Sequence, residues 1–134
     1  MRLMIGADLA PTALNIEEFK KGDIKSLLGD ELLALLEDAD YRIFNLERPL
    51  TDTNSPILKW GPCLSAPSQT ITAIKKMDIT LFTLANNHIM DHGVKGLEDT
   101  CMLLSRNNIK YVGVGKNIKD VSKTCILEKD GIKV

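Results

Sequence analysis

Ile79-Thr80-Leu81-Phe82-Thr83-Leu84-Ala85-Asn86-Asn87-His88 is the stretch on which the fold turns. Its first six residues are β-branched, aromatic or aliphatic, a nearly continuous apolar run of the kind found in strands covered on both faces. Strands so covered belong to parallel sheets. The last three residues are an amide pair and an imidazole, groups that cost kilocalories to bury without partners, so their position directly after an apolar strand marks them as functional candidates. Working outward, further short apolar runs alternate with amphipathic stretches, and the chain reads as α/β. Strands are predicted at Leu3-Met4-Ile5-Gly6, Tyr41-Arg42-Ile43-Phe44, 79–84 and Tyr111-Val112-Gly113-Val114-Gly115.

Between the strands lie helical patterns. Asp23 is placed to cap a helix whose apolar residues Ile24, Leu27, Leu28, Leu32, Leu35 and Leu36 recur at helical spacing, whereas 11–21 is poorly patterned. Ser65 and Pro67 open a helix carrying Ile71, Ile74 and Met77, and Val94, Leu97, Cys101 and Leu104 mark another that ends near Asn107-Asn108. Residues 49–67 form a long irregular crossing, and connections of that length inside a domain are usually functional. Residues 124–128 and 132–134 pattern as a hairpin turning at Asp130-Gly131. The strand pattern is still running at Val134, so residues 1–134 are expected to form a single incomplete domain, the N-terminal part of a longer protein.

Composition bounds the partners. The 134 residues are 44% hydrophobic and carry 17 Lys+Arg against 18 Asp+Glu, a net charge of −1. With no basic stripe and only one Trp, two Tyr and three Phe, nucleic acid is excluded as an expected partner. No apolar run approaches the roughly 20 residues of a membrane span. The first residues turn polar too early for a signal peptide, so the default expectation is cytoplasmic, with cell-envelope association of the whole protein as the alternative. Cys63, Cys101 and Cys125 are odd in number and widely spaced, as reduced structural thiols are.

Ligands of open α/β sheets bind at the carboxyl ends of the strands. Those ends here deliver Asp8, then Asn45-Leu46-Glu47-Arg48, then Asn86-Asn87-His88 with Asp91 and His92, then Gly113-Val114-Gly115. Carboxylate, amide and imidazole donors from three strands suit Mg²⁺, Mn²⁺, Fe²⁺ or Zn²⁺. Plainer readings stand beside this one. Asp8 alone suits a turn or helix cap, and Asn45 and Glu47 suit the satisfying of loop amides. Asp91 suits a cap for the helix near Val94, and His92 a solvated loop position. Gly93 supplies a positive-φ turn. Gly113-x-Gly115-Lys116 lacks the spacing of a phosphate loop and reads as a tight turn. Lys59-Trp60 offers a cation and an aromatic surface over the cleft, and packing is an equal reading for the tryptophan.

Asn45-x-Glu47-x-Pro49-Leu50-Thr51, Lys59-x-Gly61-Pro62, Ala66-Pro67 and Leu84-Ala85-Asn86-Asn87-His88-Ile89-Met90-Asp91-His92-Gly93-x-x-Gly96-Leu97 occur in that order. Together they resemble the bacterial capsule-synthesis family of poly-gamma-glutamate biosynthesis, from about Leu3 to Val134. That family is similar to the calcineurin-like metallophosphoesterases. The resemblance implies the N-terminal part of a layered αββα sandwich with a mixed, mostly parallel sheet, and a dinuclear divalent metal (Mn, Fe, Zn or Mg) at the strand ends. It assigns Asp8, Asn45, Glu47 and Asn87 to the metal, His88 to catalysis at the leaving group, and Asn86, Lys59, Asp91 and His92 to substrate. Ala10 stands where the first motif has His, and Glu47 where the second has a bridging Asp. Histidine ligands of later strands would lie beyond Val134, so the chain by itself is expected to hold half a site and to be inactive.

Two functions follow as expectations. In the first, the whole protein hydrolyses a phosphoester in cell-envelope polymer synthesis. In the second, the same fold binds an anionic polymer, or helps assemble its synthase, without turnover. A nucleotide-binding Rossmann-like domain is disfavoured by the missing glycine fingerprint. An incomplete sheet is also expected to self-associate through its exposed edge.

Overall fold

The computed structural model describes residues 1–134. Strands β1 (Leu3–Leu9), β2 (Tyr41–Leu46), β3 (Leu81–Thr83) and β4 (Lys110–Val112) form one sheet in the order β1-β2-β3-β4. Every pairing in it is parallel. The mostly parallel α/β architecture expected from the sequence is thus found. Antiparallel pairing is confined to a separate hairpin of β5 (Glu128–Lys129) and β6 (Ile132–Lys133), which turns at Asp130-Gly131 as the sequence suggests.

Helices α1 (Ile16–Lys21), α2 (Ile24–Asp38), α3 (Ile71–Lys76), α4 (Gly93–Arg106) and α5 (Ile118–Val121) connect the strands. Asp23 caps α2 as expected, accepting from the Ser26 amide at 3.1 Å. The helix is not continuous: Gly29 adopts φ 70°, ψ 169° and breaks it, after which Leu35 faces solvent while Leu36 is buried. The helix expected from Ser65 starts later. Ala66 is used in a bridge to Leu50, and Pro67 leads into a 3₁₀ turn, Ser68–Thr70, before α3 begins. Residues 11–21, without clear pattern, nonetheless hold α1, because Phe19 is pulled into the core. The expected strand 79–84 contributes only Leu81–Thr83 to the ladder, although Ile79 and Leu84 flank it buried.

Strand residues divide by parity. Phe44, Leu46, Phe82, Leu84 and Tyr111 pack with Phe19, Ile74 and Leu104 into the core, and Phe82, Leu46, Leu84, Ile74 and Leu104 are wholly buried. Each such side chain contributes about 1.5–3 kcal/mol by leaving water. A strand order that always steps the same way, joined by right-handed crossovers, puts the crossover helices on one face. The opposite face carries Leu3, Ile5, Tyr41, Ile43 and Leu81, which share register. The hairpin reaches only part of it, through Tyr41 Oη to the Glu128 carbonyl and Lys129 to Asp40. Ile5 stays 73% exposed.

A bulge in β1 sets the site. Ile5 pairs with Ile43 and Asp8 with Asn45, so three steps along β1 match two along β2. Alternation alone would put Asp8 on the face opposite Ile5; the extra residue reverses the parity and brings Asp8 beside Asn45. Gly6 makes this possible. The Phe44 ring lies across it, so closely that a Cβ there would fall 2.0 Å from Phe44 Cε1.

Candidate functional site

At the carboxyl end of the sheet, Asp8, Asn45, Thr83 and Val112 stand in one row across four strands. Asn45 Nδ2 donates to Asp8 Oδ1 at 2.7 Å, and Asn45 Oδ1 accepts from Thr83 Oγ1 and Asn86 Nδ2, both at 3.2 Å. Asp8 is exposed, and its second oxygen has no hydrogen-bond partner within the protein.

Asn86 organises the loop after β3. Its Oδ1 accepts from the amides of His88 and Ile89, both at 2.9 Å, and its Nδ2 also donates to the Leu46 carbonyl at 2.9 Å. One side chain thus ties the turn into α4 to the end of β2. Asn87, next to it, is exposed and makes no hydrogen bond within the protein.

His88 is fixed by Asp91, whose carboxylate is entirely buried. His88 Nδ1 lies 2.7 Å from Asp91 Oδ2, which also accepts from the Leu64 amide at 2.7 Å; Asp91 Oδ1 pairs with Lys59. Lys59 Nζ also stands 3.4 Å from His88 Nδ1, but the shorter, charge-assisted contact to Asp91 sets the tautomer. Nδ1 then serves as the donor, and Nε2 has no hydrogen-bond partner within the protein. Burial works to raise the Asp91 pKa, yet the hydrogen bonds from Lys59, Leu64 and His88 outweigh it and hold the carboxyl below its ordinary value.

The four residues assigned to substrate are engaged inside the protein. Asn86 holds the backbone, Lys59 and Asp91 hold each other, and His92 is only 6% exposed. His92 Nδ1 accepts from the Ser55 amide at 3.2 Å, and its carbonyl accepts from Ser55 Oγ at 3.0 Å. The solvated-histidine reading is thereby corrected, because the crossing 49–67 folds over it. The cap reading of Asp91 is corrected as well: its carboxylate serves the crossing and His88, not the amides of α4. Trp60 is wholly exposed, so the packing reading for it is corrected. Gly93 and Gly113 adopt φ 65° and 89°, as their turns require, and a Cβ on Gly113 would meet Ala85 Cβ at 2.9 Å.

The structure unites Asp8 with Asn45 and, through Asn86, with the His88 loop; Glu47 and Asn87 are not joined to them by any hydrogen bond. Asp8 and Asn45 are oxygen donors of the kind hard cations take. They are part of a coordination shell at most, since no three His, Cys, Asp or Glu side chains of the chain converge to hold a metal. The three cysteines are free. No helix is long and apolar enough to cross a membrane. Sequence reasoning did not single out Ser55 and the Leu64 amide, whose roles depend on how the crossing folds, or Arg48, whose only signal was its place directly after Glu47.

A parallel α/β sheet with a polar strand-end row and a buried-carboxylate-supported histidine defines a class of α/β proteins with one site at the sheet's carboxyl edge. Within it, the chain belongs to the bacterial capsule synthesis protein PGA_cap family, whose model matches residues 3–134. It is 34% identical over 102 residues to the capsule biosynthesis protein CapA of Bacillus anthracis, covering 74% of this chain and 25% of that protein. It is 32% identical over 92 residues to the PGA biosynthesis protein CapA of Bacillus subtilis (strain 168), covering 68% and 24%. A probable polyglutamine synthesis accessory protein of Mycobacterium tuberculosis is 29% identical over 99 residues, covering 72% and 26%. The chain thus spans about a quarter of the length of the relatives it matches.

Proposed function

We propose that the protein acts in capsule or poly-gamma-glutamate biosynthesis, and that in its complete form it is a metal-dependent hydrolase of a phosphoester in cell-envelope polymer synthesis. The names of the Bacillus relatives support the first part. The observation that carries the second is the His88–Asp91 pair, a histidine held by a wholly buried carboxylate at the edge where ligands of such sheets bind. Fixing the Nδ1 proton leaves Nε2 to give a proton to a departing alkoxide, which is how positioned histidines serve as general acids. Asp8, Asn45, Glu47 and Asn87 are this chain's share of donors to a divalent metal, with the remaining ligands supplied from elsewhere in the complete protein. Such a metal supplies phosphoryl polarisation and an activated water. The crossing 49–67, pinned to Asp91 and His92, shapes one wall around His88.

A second reading is a non-catalytic component that binds an anionic polymer on the same fold. The observations favouring it are Ala10 after Asp8 and the incomplete donor cluster. Metal content and Mn²⁺-dependent phosphodiesterase activity of the full-length protein decide between them. The hydrolase reading expects bound metal and turnover that falls about a hundredfold or more in His88→Ala, with a similar loss of turnover in Asn87→Ala; a metal-free protein without turnover supports the binding component. The partly covered sheet face, where Ile5 is exposed, and the free edge of β1 further suggest that this chain by itself associates with a second copy.

A further inference from the structure

We propose that Arg48 is an oxyanion-holding residue of the strand-end site. It follows Glu47 at the end of β2 and precedes Pro49, which restricts it to extended backbone. Its Nε is the one side-chain nitrogen or oxygen in the protein that is buried without a hydrogen-bond partner. No carboxylate pairs with it, whereas Arg2 pairs with Asp38 and Arg42 with Asp78. Arg42 also spends its Nε on the Leu36 carbonyl at 2.6 Å. A buried N–H without an acceptor is costly, and a native structure that keeps one calls for a reason such as a functional role or a bound ion.

The surroundings say where that partner arrives. Asn45 is bound to Asp8 and Asn86, the Leu46 carbonyl to Asn86, the Glu47 amide to the Leu9 carbonyl at 3.3 Å, and the Pro49 carbonyl to the Ala66 amide at 2.9 Å. Arg48 thus has a free side chain in a segment whose backbone is pinned on both sides, between the strand-end row and the crossing. Because only Nε is both buried and unpartnered, its two terminal nitrogens reach solvent with no protein acceptor. Two parallel N–H donors on a planar fork match the oxygens of a phosphate or a carboxylate. The inference deepens the proposed function, since it rests on an anionic substrate at this edge, and names the side chain that binds it.

The 134-residue chain is titrated with inorganic phosphate and separately with L-glutamate, following the Arg48 Nε–H resonance by NMR and affinity by calorimetry. A saturable shift of that resonance with at least one anion is expected. Arg48→Met lowers that affinity by about ten- to hundredfold, the scale of a charge-assisted pair, and Arg48→Lys restores part of it. Phosphate alone marks a phosphoester ligand, and glutamate alone a polycarboxylate; both outcomes support the proposal if lost in Arg48→Met. The melting temperature of Arg48→Met is expected to stay level or rise, because a buried N–H without an acceptor is gone. Absence of binding, binding unchanged in Arg48→Met, or a marked fall in its melting temperature overturns the proposal. The readout involves no turnover, so failure of the hydrolase reading, seen as His88→Ala without effect, stays distinguishable.

Discussion

Removing the Asp91 carboxylate is expected to destabilise the protein more than any other polar substitution at the site. The group is wholly buried and receives an ion pair from Lys59, the Leu64 amide at 2.7 Å and His88 Nδ1 at 2.7 Å. Asp91→Ala leaves a mostly buried ammonium and an amide without an acceptor, and breaking a buried pair from one side costs about 3–5 kcal/mol. With a urea slope of about 2 kcal/mol/M, the unfolding midpoint falls by about 1.5–2.5 M. Asp91→Asn keeps one carbonyl acceptor and is expected to lose about half as much. Pairing it with Lys59→Met recovers about 1 kcal/mol or more, since the two side chains are in contact. The pH dependence has a definite sign. The folded-state pKa lies below the ordinary carboxylate value, so Asp91 stabilises fully above the unfolded value of about 3.9 and loses that contribution as pH falls through the lower folded value. The gap between wild type and Asp91→Asn therefore narrows in acid. A midpoint shift below about 0.5 M, or a gap that widens as the pH is lowered, would refute the role given to Asp91.

Gly6→Ala sets a Cβ 2.0 Å from the Phe44 ring and is expected to cost about 1–3 kcal/mol in thermal unfolding while disturbing the bulge that positions Asp8. Asn86→Ala strips acceptors from the His88 and Ile89 amides, and hydrogen exchange at both is expected to accelerate, with about 1–3 kcal/mol lost for each group left buried and unpaired. Phe82→Ala opens the centre of the core and is expected to cost about 3–5 kcal/mol by denaturant titration. Light scattering of the chain is expected to show association that rises with concentration and is suppressed by Ile5→Lys at the exposed part of the sheet face; a concentration-independent monomer refutes it.

The α/β character and most of the elements were legible because local physics dictates them. The apolar run around Phe82 needs burial on both faces, Asp23 offers an acceptor to α2, and Asp130-Gly131 can hold a hairpin turn. The family was legible too, since its motif around Asn86-Asn87-His88 is contiguous. Less was readable where a short segment's fate depends on distant neighbours. The start of α3 was displaced because Ala66 bridges to Leu50, and α1 forms without a clear pattern because Phe19 finds a core.

The site shows the same division. By itself the sequence determined which residues the strand ends present, Asp8, Asn45 and the Asn86-Asn87-His88 run, because strand endings follow from apolar patterning within a few residues. Only the tertiary structure decided what those residues do. A single extra residue in β1 reverses the parity of Asp8 and brings it to Asn45. The crossing folds back over α4's start, so Asp91, His92 and Lys59 are tied to His88 and the loop, and Arg48 is left without a protein partner. Bulge position and loop return are set by packing between residues far apart in the chain, such as Phe44 over Gly6, and pairings of that range leave no periodic trace in the sequence.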